Sequence, residues 1–376
     1  MKIIVAGDFA PYDRVVPLLE EEKYGLVFDN VRPYIIDSDY SIVNFECPIV
    51  NGKANPIPKK GPCLKCSDKA TSAIKYAGFK CATLANNHFR DYGDAGCRDT
   101  IEFLDASNID HVGGGMSLFD AQRILYKEVC DKKISVINFC ENEFSVASRA
   151  EAGSAPLDLI KNYRQIQEAK INSDYVIVIV HGGHEYYRLP SPRMKETYRW
   201  FIEIGADVVI NHHQHCYSGY EVFHNKPIFY GLGNFCFDGN RSSGKKNMWH
   251  EGYMVELDGE GGFTLLPYIQ CKEEPSVTPM TKAQIKIFTE NIEELNSLIQ
   301  DDAKLNSEFE KWCEKRSDIL ELMLTPYSKR FFTGLWRRHL LPSFLPQSRV
   351  LQLRNMTECE SHRDTFYAFL KKKTNP

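Results

Sequence analysis

A run of histidines follows a short apolar segment near the middle of the chain, and its residue types could bind metal. Residues 206–210 (ADVVI) are mostly apolar and mostly β-branched, which predicts a strand. The residues that follow are Asn211, His212, His213, Gln214 and His215. Residues two apart in an extended chain lie on one side, so His213 and His215 could reach one divalent metal site. A polar loop that happens to be rich in histidine is the alternative, and the metal hypothesis is favoured.

Polar side chains also follow four other apolar segments that predict strands, at residues 2–6, 40–45, 80–84 and 174–180. With the histidine run, polar groups therefore stand at a strand end five times. The residues concerned are Asp8, Glu46, Asn87, His181 and His213. Because the carboxyl ends of the strands of an α/β sheet lie at one edge, we expect these groups to converge on one site.

Segments with a helical pattern separate the predicted strands, so the sequence predicts an α/β fold. The 376 residues are too many for one minimal domain and suit one large domain with an appendage. From about residue 279 the chain becomes charged and amphipathic, without a cluster of catalytic residue types. We therefore predict one α/β domain over residues 1–270 and a helical C-terminal extension over residues 279–376.

The charge and the N-terminus exclude several classes of protein. The net charge of −4 gives no sign of a nucleic-acid surface. The N-terminus lacks the apolar region of a signal peptide and the ~20 apolar residues of a membrane span. We expect a cytoplasmic protein, which could lie peripherally at the inner face of the membrane. The basic aromatic stretch 327–345 could contact a membrane surface, although packing on the main domain or on a partner is favoured.

The cysteines do not indicate a disulfide framework or a zinc site. The twelve cysteines are scattered along the chain. Cys63 and Cys66 form a CxxC motif, but the sequence has no second one and a zinc knuckle needs four ligands. Reduced thiols are therefore favoured over metal binding at this pair.

The polar motifs, taken in order, resemble those of the bacterial capsule-synthesis CapA family, which is linked to poly-γ-glutamate capsule formation. The motifs are Gly7-Asp8 with Arg14, residues 44–48 (NFECP), 85–93 (ANNHFRDYG), 181–186 (HGGHEY), 205–215 (GADVVINHHQH) and 226–235 (KPIFYGLGNF). The resemblance covers about residues 1–270 and leaves out the helical tail. Since that family is similar to calcineurin-like metallophosphoesterases, the resemblance implies a four-layer α/β/β/α sandwich of metallophosphoesterase type, with metals at the strand ends.

The resemblance also implies a ligand set for one or two divalent metal ions. One metal would be held by Asp8, Glu46 and His215. The other would be held by Glu46, Asn87, His181 and His213, so Glu46 would bridge the two. Mixed nitrogen and oxygen ligands suit manganese, zinc or iron, and the spacing does not choose among them.

Further residues receive roles beside the metals. His88 would be the acid next to the leaving group, with Asn44 or His212 as substitutes. Arg14 could bind an anionic group of the substrate as a fork and assist catalysis, and Glu185 and Asn234 are expected to contact the substrate.

The sequence departs from the phosphoesterase pattern in two places. Ala10 stands where those enzymes usually have a histidine, and Glu46 replaces their bridging aspartate. One metal could therefore bind more weakly, or the site could hold a single metal.

The function expected from this resemblance is that of a metal-dependent hydrolase in capsule or surface-polymer synthesis. A metal-activated water would cleave a phosphoester or an amide, and the partners would be an anionic polymer or phosphorylated precursor and other capsule-synthesis proteins. The alternatives are a general metallophosphodiesterase or phosphatase, and a non-catalytic assembly factor with a degraded metal site.

Overall fold

A computed structural model describes residues 1–59, 61–239 and 248–317, with residues 324, 330–338, 340–342, 345–358, 362, 366 and 370 of the tail. Its strands are β1 Ile3–Phe9, β2 Tyr40–Phe45, β3 Cys81–Thr83, β4 Asp110–Val112, β5 Gly114–Gly115, β6 Leu125–Val129, β7 Lys132–Cys140, β8 Gly153–Ser154, β9 Tyr175–His181, β10 Val208–His212, β11 Tyr220–Phe223, β12 Lys226–Phe229, β13 Asn234–Cys236, β14 Glu251–Leu257, β15 Phe263–Gln270 and β16 Val277–Pro279.

Helices separate most of these strands and form the C-terminal part of the described chain. They are α1 Val15–Glu20, α2 Tyr24–Phe28, α3 Arg32–Ile36, α4 Lys69–Ala77, α5 Gly93–Ala106, α6 Leu118–Ala121, α7 Leu159–Asn172, α8 Pro192–Glu203, α9 Lys282–Gln300, α10 Asp302–Glu314, α11 Arg330–Trp336 and α12 Gln347–Glu358. No helix among the described residues is both long and apolar enough to cross a membrane.

The first large sheet has the order β16-β15-β14-β1-β2-β3-β4, and β13 pairs with β1 beside this path. Strands β1 to β4 run parallel, whereas β14 pairs with β1 in the antiparallel sense. The register places Asp8 opposite Asn44 of β2 and Asn234 of β13. Three polar residues from distant parts of the chain therefore meet at one edge of this sheet.

The second large sheet has the order β11-β12-β10-β9-β7-β6, and its central strands β7, β9, β10 and β12 are parallel. The register places His181 at the end of β9 opposite His212 at the end of β10. Both strands are buried along their whole length, which explains their runs of valine and isoleucine.

Helices cover the outer faces of both sheets, which gives four layers. Helices α1 to α4 share one apolar core with β1, β2 and β3, whose members Ile4, Val43 and Ala82 are fully buried. Helices α7 and α8 pack against β7, β9, β10 and β12. The prediction of an α/β sandwich with a helical C-terminal part is confirmed.

The chain forms two compact units, Met1–Leu305 and Asn306–Pro376. Helix α9 belongs to the first unit and begins with a capping box in which Thr281 and Gln284 exchange hydrogen bonds. Its apolar side includes the buried residues Phe288 and Ile299. The division into a 1–270 domain and a 279–376 extension stays a prediction. The stretch 327–345 lies partly outside the described residues.

A close backbone contact beside Asp8 needs a glycine. A Cβ atom at Gly7 would lie 1.8 Å from the carbonyl oxygen of Gly233, which also accepts a hydrogen bond from the Asp8 amide. A side chain at this position would therefore push β13 away from β1.

We expect Gly7→Ala to lower the free energy of unfolding by about 2–3 kcal/mol because the added methyl overpacks a buried backbone contact. Gly52→Ala is the control, since a Cβ there meets nothing within 4 Å and costs only the strain of its positive φ, about 1–2 kcal/mol. Denaturant unfolding measures both. Equal stability of the two variants would contradict this account of the β1–β13 contact.

Candidate metal centre

The side chains predicted as metal ligands are all buried where the two large sheets approach each other. Their exposed fractions are 1% for Asp8, 0% for Glu46, 8% for Asn87, 2% for His181, 7% for His213 and 5% for His215. Asp8 comes from the first sheet and His181 from the second, while the others lie in the turns that follow strands.

Two overlapping groups of ligand atoms form within this set. Glu46, His181 and His213 make one group, and Asp8, Glu46 and His215 make the other, with the ligand atoms of each group within 4.8 Å of one another. Glu46 belongs to both groups. The geometry therefore brings together the two metal positions that the resemblance implied, and the assignment of these residues as ligands stays a prediction.

The Glu46 carboxylate is the least compensated group at this site. Neither of its oxygens has a hydrogen-bond partner, and Oε1 lies 3.4 Å from His181 Nε2. Burial, followed by repulsion from Asp8, raises the pKa of Glu46 well above its ordinary value. A buried carboxylate without a partner is costly, so this position fits an acceptor of divalent cations.

Asp8 is held by its neighbours in a fixed orientation. Its Oδ1 accepts a hydrogen bond of 2.7 Å from Asn44 Nδ2, and its Oδ2 accepts one of 3.3 Å from the His213 amide. Oδ2 also lies 3.7 Å from His215 Nδ1. Burial raises the pKa of Asp8, while His215 and these hydrogen bonds act in the opposite direction. Asn44 therefore acts here as a support for Asp8.

The imidazoles are kept in the neutral form that binds metals. Burial lowers the pKa of His181 well below its ordinary value and lowers that of His215 to about 4. His213 is shifted in the same direction, also chiefly by burial. Because neutral imidazole is the ligand form, the three rings need not lose a proton at neutral pH before they bind a cation.

Asn87 joins the group that contains His181. Its Oδ1 lies 3.1 Å from His181 Nε2, and that nitrogen lies 3.1 Å from His213 Nδ1. The preceding residue, Asn86, shapes the turn: its Oδ1 accepts a hydrogen bond from the His88 amide, and its Nδ2 donates to the carbonyl of Phe45. Asn87 therefore contacts the ligand cluster, whereas Asn86 stabilises the turn.

His213 and His215 reach the site through a backbone conformation that differs from the extended one predicted from the sequence. Strand β10 ends at His212, and His213 and His215 have φ angles of 96° and 55°. Alternation along an extended chain was therefore the wrong reason for their convergence, because a turn with left-handed residues presents both rings. Such strain is typical of sites that the surrounding structure holds in place.

Two of the residues predicted to contact substrate, Glu185 and Asn234, lie in different settings. Glu185 is exposed on the loop after β9, near enough to raise the pKa of Glu46. Asn234 is buried, with its Oδ1 2.9 Å from His215 Nδ1 and its Nδ2 donating to the carbonyl of Trp249. Asn234 therefore orients a candidate ligand, and contact of either residue with a substrate stays a prediction.

Arg14 is engaged by the protein itself. Its Nε and Nη2 donate to the two oxygens of Asp238 at 2.9 and 3.0 Å, and further hydrogen bonds reach the carbonyls of Cys271 and Glu273. This arrangement occupies the guanidinium fork that we expected to bind substrate, so it favours a structural role. The catalytic and substrate-binding roles of Arg14 stay predictions.

His88, the predicted acid, is buried beside the cluster, and Asp91 contacts one of its two ring nitrogens. Its Nδ1 lies 2.7 Å from Asp91 Oδ2, and Asp91 also forms an ion pair with Lys59. Sequence reasoning missed Lys59, because nothing in its local sequence distinguishes it from the other lysines of its loop. The candidate substitutes differ: Asn44 supports Asp8, and both ring nitrogens of His212 are buried without a hydrogen-bond partner.

An apolar cluster occupies the surroundings of Ala10, where the phosphoesterase pattern has a histidine. Ala10 packs with Cys47, Leu64 and Phe237, and all four are buried. The described cysteines are free thiols, and neither Cys63 nor Cys66 belongs to a candidate metal group in the described part of the chain.

The Glu46→Gln variant tests whether the charge of this carboxylate destabilises the protein when no cation is bound. Without metal, we expect the variant to be more stable than the wild type by about 1–3 kcal/mol at neutral pH, because a buried charge without a partner is removed. The pKa of Glu46 in the folded protein is raised above its ordinary value of 4.5. Below pH 4.5, Glu46 is protonated in both the folded and the unfolded protein, so the stability gain of the variant should disappear there.

Thermal unfolding of the metal-free proteins over a range of pH measures this difference, and elemental analysis measures the loss of bound metal. Glu102→Gln is the matched control, because Glu102 is exposed on α5, belongs to neither ligand group and should give little change in stability. A metal-free Glu46→Gln protein that is less stable than the wild type at neutral pH would contradict the interpretation of Glu46.

Comparisons with known proteins agree with the resemblance seen in the motifs. The family model of the bacterial capsule synthesis protein PGA_cap matches residues 2–239. The capsule biosynthesis protein CapA of Bacillus anthracis is 32% identical over 246 residues, which are 63% of this chain and 60% of that protein. The PGA biosynthesis protein CapA of Bacillus subtilis is 31% identical over 283 residues, 74% of each chain.

Among solved structures, a phosphatase of Mycoplasma pneumoniae is similar, with 14% identity and a TM-score of 0.42 over 76% of this chain and 96% of that one. The match with the Bacillus anthracis protein spans less than two thirds of that protein's length. The family match covers more than half of the present sequence and includes every residue of the candidate metal centre. The chain therefore belongs to the bacterial capsule synthesis protein PGA_cap family.

Proposed function

We propose that this protein is a metal-dependent hydrolase that acts in the synthesis of a capsule or surface polymer. The observation that carries the proposal is the Glu46 carboxylate, which belongs to two overlapping ligand groups and has no hydrogen-bond partner of its own. A bridging carboxylate between two sets of nitrogen and oxygen ligands is the arrangement that a two-metal hydrolase needs.

The residues divide into two candidate metal positions. Asp8 and His215 would hold one divalent ion, His181, His213 and Asn87 the other, and Glu46 both. Two bound ions would supply Lewis-acid activation of a water molecule and neutralise the charge that develops on the reacting group. The donor set suits manganese, zinc or iron.

The protein groups around the metals have separate tasks in this proposal. Asp8 and Glu46 supply negative charge that holds the cations, and the turn after β10 fixes two imidazoles. His88 lies next to the ligand Asn87 without belonging to either ligand group. Because Asp91 accepts the Nδ1 proton, Nε2 is the ring nitrogen available to the leaving group, and the doubly protonated ring could pass its Nε2 proton to a leaving oxygen or nitrogen.

The family supports the biological context of the proposal. The two Bacillus relatives are named for capsule biosynthesis and for PGA biosynthesis. The substrate would be a phosphoester of a precursor or an amide of a γ-glutamyl polymer, and other capsule-synthesis proteins would be partners. Action at the cytoplasmic side, on a precursor, fits the sequence-based expectation of location.

A non-catalytic assembly factor is the second candidate, because an apolar cluster surrounds Ala10 in the place of a usual ligand. Elemental analysis of the purified protein, together with a screen of aryl phosphates and γ-glutamyl peptides, separates the candidates. Bound metal and turnover of either substrate class support the hydrolase. Protein that binds no metal and whose Asp8→Asn variant fully supports capsule formation would support the assembly factor.

The His88→Ala variant tests the role of the proposed acid. We expect it to slow hydrolysis of a substrate with a poor leaving group by ~10²–10⁴-fold, the usual contribution of general acid catalysis. A nitrophenyl substrate should lose less than about tenfold, because nitrophenolate departs without protonation.

Steady-state kinetics on both substrates and elemental analysis of the variant provide the measurements. Metal content should equal that of the wild type. An equal loss on both substrates, or a loss of metal, would mean that His88 holds the site together and does not act as its acid.

A further inference from the structure

The loop between β2 and α4 buries a lysine at the candidate site. The Lys59 side chain is 3% exposed and forms an ion pair with Asp91, whose side chain is 0% exposed. A buried ammonium is costly unless it is paired, and Asp91 compensates the charge of Lys59. Lys59 Nζ also lies 3.5 Å from the carbonyl oxygen of Asn87.

Asp91 anchors this loop and His88 at once. One of its oxygens faces Lys59, and the other accepts hydrogen bonds of 2.6 Å from the Leu64 amide and 2.7 Å from His88 Nδ1. Its carbonyl oxygen accepts a hydrogen bond from the Ile57 amide at 2.9 Å. The carboxylate therefore cannot turn away from His88 without breaking its contacts to Lys59 and Leu64 of the loop.

These contacts assign the orientation of the His88 ring. A carboxylate only accepts hydrogen bonds, so the nitrogen 2.7 Å from Asp91 Oδ2 carries a proton. Lys59 Nζ is 3.2 Å from the same Nδ1 atom and, as a donor itself, makes no hydrogen bond to it. Lys59 thus lies on the Nδ1 side of the ring and does not face the leaving group from the Nε2 side.

We propose that Lys59 is a positioning residue, which fixes Asp91 and through it directs His88 Nε2 toward the leaving group of the substrate. This inference rests on the proposed hydrolase function and adds a residue of the 51–66 loop to it. In this proposal the loop supports the acid, because Lys59 contacts Asp91 and Asp91 in turn contacts His88. Supporting residues of this kind typically change activity by 10–100-fold.

Kinetics of Lys59→Met on two leaving groups test the proposal. With an alkyl phosphate, we expect kcat to fall by about 10–100-fold and KM to stay within about threefold. With nitrophenyl phosphate, which needs no acid, kcat should stay within about threefold. Each variant is assayed at its own pH optimum, so that a changed protonation is not mistaken for a lost orientation.

Lys65→Met is the matched control, because Lys65 has the same charge, lies in the same loop and is exposed. It should behave as the wild type on both substrates. Lys59→Leu, which also removes the charge and the hydrogen-bond donor, provides the same comparison if Lys59→Met does not fold. Elemental analysis should give wild-type metal content in all three variants.

A second measurement does not depend on activity. In the metal-free wild type, the Nδ1 proton of His88 should give a proton NMR signal protected from water, because Asp91 accepts it and the loop covers it. Lys59→Met should broaden this signal by exchange with water, and Lys65→Met should keep it.

The outcomes separate the two proposals. A selective loss on the alkyl substrate with a broadened proton signal supports the role of Lys59. An equal loss on both substrates, no loss on either, or an unchanged proton signal would overturn it. If the wild type hydrolyses no substrate, the proposed function fails, and the proton signal alone then decides whether Lys59 positions His88.

Discussion

The buried, unpartnered carboxylate of Glu46 is the constraint on which the rest of the site depends. Two carboxylates, Asp8 and Glu46, lie in the interior with imidazoles that burial keeps neutral. No lysine or arginine is paired with Glu46 among the described residues. A divalent cation is the simplest charge that could compensate this arrangement. Without a cation, the burial of these carboxylates lowers the stability of the folded protein.

Two structural devices hold this set together. Parallel strands bring Asp8 and His181 to the edges at which the two sheets approach, where the strand register is fixed by fully buried β-branched residues. The remaining ligands come from turns, including the left-handed residues His213 and His215. The regular core thus offsets the strain of an irregular site, which is the usual division between a rigid scaffold and the loops that carry function.

Residues next to the ligands show how much of the site is support. Asn44 holds Asp8, Asn234 holds His215, and Asp91 holds His88. Each support comes from a different strand or turn than the residue it holds, apart from Asp91. Metal sites depend on such outer contacts because they fix the orientation of each ligand.

Much of this arrangement could be predicted from the sequence, because polar residues at the ends of apolar strands must share an edge in an α/β fold. That rule predicted that Asp8, Glu46 and His181 would lie close together, as they do in the structure. The fold with two large sheets is the one that the resemblance of the motifs implied. It could not find the partner of Arg14, since Asp238 lies 224 residues away. It also missed the burial of Lys59, which depends on how an irregular loop folds back onto Asp91.

Anomalous X-ray scattering from crystals of the manganese-loaded protein tests the central claim most directly. The account predicts two peaks about 3.5–4 Å apart, the separation typical of two-metal sites, with the Glu46 carboxylate between them. One peak would be bound by Asp8 and His215 and the other by His181 and His213. A single peak, or no peak within reach of Glu46, would contradict the claim that this carboxylate joins two metal positions.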